Sequence, residues 1–279
     1  MSDGSHWMHR VSPGATLRWT VLFIGGLIMI TPLLYMFSSS LKPGADIYDL
    51  RLIPARATLD NYRAVLSDGR FMRWFLNSTF IATCVTLSTL FFDSLVGYTL
   101  AKFRFRGRQL VFIAILSTLM IPTEMLVIPW YLLSAQLGWI DSYWGIMFPG
   151  MMTGFGTFLM KQFFETVPDD FLEAARIDGL SEFAIWWRVA MPLVTPALSA
   201  LAIFAFLGNW TAFFWPLIVT TSQELYTLPI GLSSFAVEAA IKWEMIMTGA
   251  ALATIPTLIV FLVLQRYIVR GVMLAGLKG

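Results

Sequence analysis

An all-α polytopic membrane protein with six transmembrane helices is the fold class this sequence predicts, and three observations carry the prediction. Of its 279 residues, 57% are hydrophobic and only 13% charged, whereas a soluble domain carries about 25% charged residues. Six runs reach the roughly 20 apolar residues needed to cross a hydrocarbon core of about 30 Å. None alternates strictly between apolar and polar, as the strands of a closed barrel would, and helices are the other structure that satisfies its backbone in lipid. The net charge of +2, with its basic residues scattered, gives no nucleic-acid footprint.

The runs lie at about 17–39, 75–100, 109–133, 143–164, 196–220 and 245–269. The chain therefore divides into a polar tail, 1–16, and a single membrane domain, 17–279. The first run is too long for a signal-peptide core and has no cleavage site after it, so it reads as a retained span and signal anchor. His6 and His9 sit in the tail, and the single cysteine, Cys84, lies in an apolar run; neither an internal disulfide nor a metal site is expected. Twelve of the 19 Lys and Arg, including the KFRFRGR segment at 102–108, fall on one side of this topology and seven on the other. That bias places both termini in the cytoplasm, N-in and C-in.

Within the first run, Gly25, Gly26 and Pro32 mark a bend. The loop 40–74 is too polar to insert, and LDNYRAVL at 59–66 predicts a short helix on the outer surface. The second span is rich in hydroxyls, from Ser78 and Thr79 to Ser94 and Thr99, which bond neighbouring helices or their own backbone. Asp93 stands about 13 Å along the helix from Lys102. An intramembrane acid is costly and faces the bundle interior or water. Asp93 is either a structural carboxylate bonded to a hydroxyl or a partner subunit, or part of an ion or substrate path. In the third span Pro122 and Pro129 bracket Glu124 and bend the helix. Glu124 either satisfies backbone groups freed by the prolines or lines a translocation cavity.

The fifth span ends in Asn209, Trp210, Phe213, Phe214, Trp215 and Pro216. These aromatics form either an interfacial belt or a surface on which sugar rings stack while Asn209 supplies hydrogen bonds. In the sixth span Gly249, Ala250, Ala251 and Ala253 suit close helix packing.

Between spans four and five lies an amphipathic cytoplasmic loop, 165–195. Asp169 and Asp170 follow Pro168 at a helix start, where acids suit the positive end of the dipole. Asp178-Gly179 ends that helix, and Ser181 caps a second one before Pro192. Two short helices meeting at a glycine turn make a compact knob, which could dock a partner or lie along headgroups. Glu173-Ala174-Ala175, three residues, Gly179, nine residues and Val189-Ala190-Met191-Pro192 resemble the EAA loop of ABC importer permeases. SLKP at 40–43, NYRAV at 61–65, IPTEMLVIP at 121–129, FFWPLIV at 213–219, YTLPIGL at 226–232 and GLKG at 276–279 extend the resemblance along the chain. The sequence as a whole is similar to the shorter, six-span subunit of maltose-type carbohydrate importers, with Thr211 where those members often carry Asn.

The resemblance implies a type I ABC importer permease fold and an assembly with a homologous second permease, two cytosolic ATPases and an extracytoplasmic substrate-binding protein. It implies that the EAA loop docks in a cleft of the ATPase: Glu173 pairs with a basic or polar group there, Ala174 and Ala175 permit close contact, and Gly179 sets the turn. ATP and Mg belong to the partner ATPases, because this chain carries no GxxxxGK[ST] phosphate loop and no catalytic constellation. The implied cargo is a sugar, oligosaccharide, polyol or glycerol-phosphate compound, and Glu124, Asn209, Trp210, Phe214 and Trp215 are the candidate pathway residues. An ion- or proton-coupled secondary transporter using Asp93 and Glu124 is the alternative.

Overall fold

The computed structural model describes residues 13–235 and 242–276. The His6/His9 tail and the end of the GLKG segment lie outside the described residues. Among those described, every regular element is helical. Helix α1 spans Pro13–Ser40, starting four residues before the boundary expected at 17. A short surface helix, α2 (Asp60–Ser67), follows, close to where LDNYRAVL predicts one. The longest elements are α3 (Gly69–Lys102) and α14 (Trp243–Gly276), each of 34 residues. Leu17–Ser40, Gly69–Lys102 and Trp243–Arg266 are long and apolar enough to cross a membrane unbroken.

The other three predicted runs do not form continuous helices, and prolines explain where they stop. A proline ring clashes with the carbonyl four residues earlier and offers it no N–H. Pro122 accordingly closes α4 (Arg108–Thr118) at Thr118, and α5 (Val127–Gln136) resumes after a 3₁₀ turn at Thr123–Leu126, at an angle of 95°. Pro129 produces no kink, contrary to expectation. It sits in the first turn of α5, where its missing N–H would have had no partner anyway. Pro149 lies in the 3₁₀ turn Phe148–Gly150 that separates α6 (Tyr143–Met147) from α7 (Gly154–Glu165), and the Gly145 carbonyl it leaves free accepts Trp215 Nε1 at 3.0 Å. Pro216 ends the helical path before residue 212.

The loop helices are α8 (Asp169–Ile177), α9 (Glu182–Ile185) and, after a π turn at Trp186–Ala190, α10 (Met191–Leu193). Then come α11 (Thr195–Trp210), α12 (Phe214–Val219) and α13 (Leu228–Ser234). Glu182–Leu193 meets α11 at 87°, so the loop lies across the end of the bundle.

Helix α3 is the axis of the fold. At 1.5 Å per residue it is about 50 Å long, and it packs against both α7 and α11. Some of its hydroxyls bond back to their own turn, as Thr86 does to Ala82. Others reach across, Ser88 to the Met151 carbonyl and Thr89 to that of Gly150. One core cluster gathers Tyr98, Met160, Phe164, Trp186 and Leu201 at the Lys102 end. A second, with Trp74, Phe206, Trp210 and Leu228, lies toward the Gly69 end.

Candidate functional site

Two features stand out at opposite depths of the bundle. The first is the loop between α7 and α11. Helix α8 turns one face inward, burying Leu172 and Ala175 in the cluster that holds Trp186. The opposite face carries Phe171, Glu173, Ala174 and Ile177, all exposed, with Ile177 87% exposed. The helix ends in a tight reversal: Gly179 N–H donates to the Arg176 carbonyl and Leu180 N–H to that of Ala175. This is the bonding of a Schellman motif. It requires a left-handed residue, supplied by Gly179 at φ +82°. Ser181 Oγ then accepts Ala184 N–H to start α9, and Arg176 grips Glu182 at 2.6 Å across the turn. The knob is therefore stiff.

It is also tied to α3. Lys102, almost fully buried, donates its ammonium to the Val167 carbonyl and to Asp169 Oδ1, both at 2.6 Å. That hydrogen bond and charge hold the Asp169 carboxyl below its usual range. A depressed value means the tie contributes fully above the ordinary carboxylate pKa and is lost as pH falls through the lower folded value. Because Asp169 is mostly exposed, the gain is small. The expected result is a slightly lower unfolding temperature for Asp169→Asn, constant from about pH 5 to 8 and vanishing in strong acid; thermal unfolding in detergent measures it.

The second feature lies at the helix breaks. Non-helical backbone at membrane depth is tolerated where it is buried in protein or lines a wet cavity. A cavity of about 330 Å³ is lined by Thr123 and Glu124 from the α4–α5 break, Val127 and Trp130 of α5, Gly208 of α11, and Ala212, Phe213, Phe214 and Trp215. On the other side of Gly208 a second space of about 220 Å³ opens between Thr89, Gly150, Thr153, Phe204 and Asn209. A Cβ on Gly208 would meet nothing within 4 Å. The walls offer aromatic faces, one carboxylate and one amide. That combination suits a polyhydroxylated solute, whose C–H faces pack on rings while its hydroxyls take hydrogen bonds.

Residues 93–274 match the family described as binding-protein-dependent transport system inner membrane component. The chain belongs to that family. It is 36% identical to the arabinooligosaccharides transport system permease protein AraQ of Bacillus subtilis, over 91% of this chain and 92% of the relative. It is 32% identical to the sn-glycerol-3-phosphate transport system permease protein UgpE of Rhizobium meliloti, over 90% and 93%. A chain of the crystal structure of a bacterial ABC transporter that imports the acidic polysaccharide alginate superimposes with a TM-score of 0.83. That match has 27% identity and covers 94% of this chain and 99% of that one.

In this inner membrane component, three of the sequence-predicted pathway residues, Glu124, Phe214 and Trp215, converge on one cavity. Asn209 borders the adjoining space, its amide donating to the Ala205 carbonyl of its own helix. Trp210 lines neither of these two spaces. It is 3% exposed, stacks on Phe206, meets Phe75 edge-on and donates Nε1 to the Ala253 carbonyl. Its ring belongs to the packing between α3, α11 and α14, and it borders a separate space of about 400 Å³ with Leu228, Ala250 and Thr254. Ala175 likewise faces inward, so the close contact its small side chain allows is with the chain's own core. Asp178 caps α8, and Pro192 lies exposed at the start of α10.

Asp93 lines neither cavity. It is fully buried, and its carboxylate accepts Thr153 N–H and the hydroxyls of Thr153 and Thr157. It thereby sits at the N-terminus of α7, the favourable end of that helix for an anion. Three tethers, those of Lys102, Asn77 and Asp141, carry no local signal in the sequence. Lys102 and Asn77 act on partners 65 or more residues away, and Asp141 on partners 80 or more away.

Proposed function

We propose that this chain is one permease half of an ATP-driven importer for a carbohydrate or a related polyol or glycerol-phosphate compound. It crosses the cytoplasmic membrane six times with both termini inside, through α1, α3, α4–α5, α6–α7, α11–α12 and α14. The α8–α9 knob faces the cytoplasm and docks on an ABC ATPase. A homologous second permease completes the pathway, two ATPase subunits bind and hydrolyse ATP with Mg, and an extracytoplasmic protein delivers the cargo. Family membership supports the importer reading, and the transported compounds named for the relatives support the carbohydrate class.

One observation carries the coupling role. A stiff two-helix knob, anchored to the longest internal helix by Lys102, holds Ile177 and Glu173 out on its free face. Ile177 gains by burial against a partner, and Glu173 is placed to pair with a basic or polar group there. ATP-driven closure of the ATPases would then displace α8 and α3 together and rock the helices that border the Glu124 cavity, a rigid-body switch between two access states.

Co-reconstitution in proteoliposomes tests the reading. Uptake is expected only when the second permease, the ATPases, internal ATP and external binding protein are all present, and it should persist when an ionophore collapses the proton gradient. Uptake by this chain alone, abolished by the ionophore, would favour a secondary transporter instead.

A further inference from the structure

The end of α3 opposite Lys102 is built as carefully as the end that holds the knob. The segment 220–228 has no long helix of its own, yet its backbone is bonded almost continuously to side chains. Trp74 Nε1 donates to the Gln223 carbonyl at 3.0 Å, and Arg73 reaches both the carbonyl and the carboxylate of Glu224. Ser78 Oγ accepts Leu228 N–H at 2.8 Å. Between them Asn77, 4% exposed, donates both amide hydrogens, to the carbonyls of Glu224 at 2.8 Å and Tyr226 at 2.9 Å. Its oxygen accepts the hydroxyl of Tyr143 at 2.7 Å. Asp141 clasps the same segment from the other side. Its Oδ1 accepts Thr221 N–H, Ser222 N–H and the Ser222 hydroxyl. Burial would raise the Asp141 carboxyl, but the Ser222 and Thr221 bonds outweigh it and leave its pKa lowered.

Four residues on two consecutive turns of one helix thus fix the shape of a loop, and that helix continues unbroken to Lys102. Asn77 and Lys102 are about 37 Å apart along the axis. We propose that Asn77 is a positioning residue that makes the 220–228 segment move with α3, so that an event at this face reaches the α8 knob through a single rigid helix. Asn77 is singled out because, among the described residues, its side chain joins α3, the loop and α6, with both N–H donors and its oxygen bonded. Alanine there would leave the part-buried Tyr226 carbonyl and Tyr143 hydroxyl without this partner, while the Glu224 carbonyl keeps Arg73 Nε. The assignment rests on the permease reading above, since it presumes an ATPase at the knob and a binding protein at the opposite face.

The experiment uses the complete importer in nanodiscs. ATP turnover is measured without binding protein, and with binding protein saturated in turn by arabinotriose, maltotriose and sn-glycerol 3-phosphate. For Asn77→Ala, basal turnover is expected to stay within about twofold of wild type while stimulation falls about tenfold or more, the range of typical coupling free energies. Tyr143→Phe, which keeps the ring and removes only the donor, should reduce stimulation several-fold at unchanged basal rate, and adding it to Asn77→Ala should bring no further loss. Should Asn77→Ala fail to assemble, Tyr143→Phe decides alone. Undiminished stimulation in the variants, or basal and stimulated rates falling in proportion, would overturn the proposal. If no loaded binding protein stimulates the wild-type complex, the permease reading fails first, and the two failures are told apart by that control.

Discussion

Replacing Ile177 by aspartate is expected to abolish stimulated ATP turnover and uptake by the assembled importer, with the yield and unfolding temperature of the chain itself unchanged. The separation follows from geometry. Ile177 is 87% exposed at the last turn of α8 and makes no part of the core cluster beneath it, so a charge there costs the free chain little. Against an ATPase the same side chain would be buried, and an unpaired carboxylate in such a contact is strongly unfavourable. Co-purification of the ATPase with the chain measures the loss. Leu172→Asp supplies the contrast, because Leu172 is buried beneath α8 and its replacement should reduce the amount of folded chain. Full stimulation in Ile177→Asp would remove the outer face of α8 from the coupling contact.

The second large effect concerns the buried acid. A Cβ on Gly156 would lie 1.9 Å from Asp93 Oδ2 and 2.9 Å from Thr153 Oγ1, so no side chain fits without moving α7 away from α3. Gly156→Val is therefore expected to leave little folded protein, with a loss of several kcal/mol, at the upper end of single substitutions. Asp93→Asn keeps the volume but removes one acceptor. It should cost about 1–3 kcal/mol, the penalty for an unsatisfied buried hydrogen-bonding group, and leave uptake at the wild-type rate per folded molecule. Size-exclusion yield and thermal unfolding read both variants. If Asp93→Asn were stable but transport-dead, the acid would be acting in the pathway.

These two cases show what the sequence could and could not tell. The knob was legible because its determinants are local: the helix reversal needs Gly179 at one position, Ser181 caps the next residues, and acids cluster at the start of α8. The apolar runs were legible as membrane segments for the same reason. Their continuity was not. The sequence reads Pro122 as a bend, whereas it stops a helix and opens a break, as do Pro149 and Pro216, for which the sequence carries no such expectation. At Pro149 a distant donor, Trp215, takes the freed Gly145 carbonyl, a tertiary contact with no local signal, whereas at Pro122 the Thr118 carbonyl takes Ile121 N–H within the turn. Aromatic identity was equally ambiguous. Trp210 and Trp215 lie five positions apart, but α11 ends at Trp210 and turns it into the core, while α12 carries Trp215 to the Glu124 cavity.

The α8–α9 knob is proposed as the contact with an ATPase, on the cytoplasmic side. Changing Cys84, the single cysteine, to serine gives a background for one reporter at a time. A benzophenone attached at Ile177→Cys should cross-link to the ATPase subunit in the complete importer. The same probe at Tyr48→Cys, exposed near the opposite end, should give no ATPase adduct. ATPase adducts from position 48 and none from position 177 would contradict both the orientation and the coupling role.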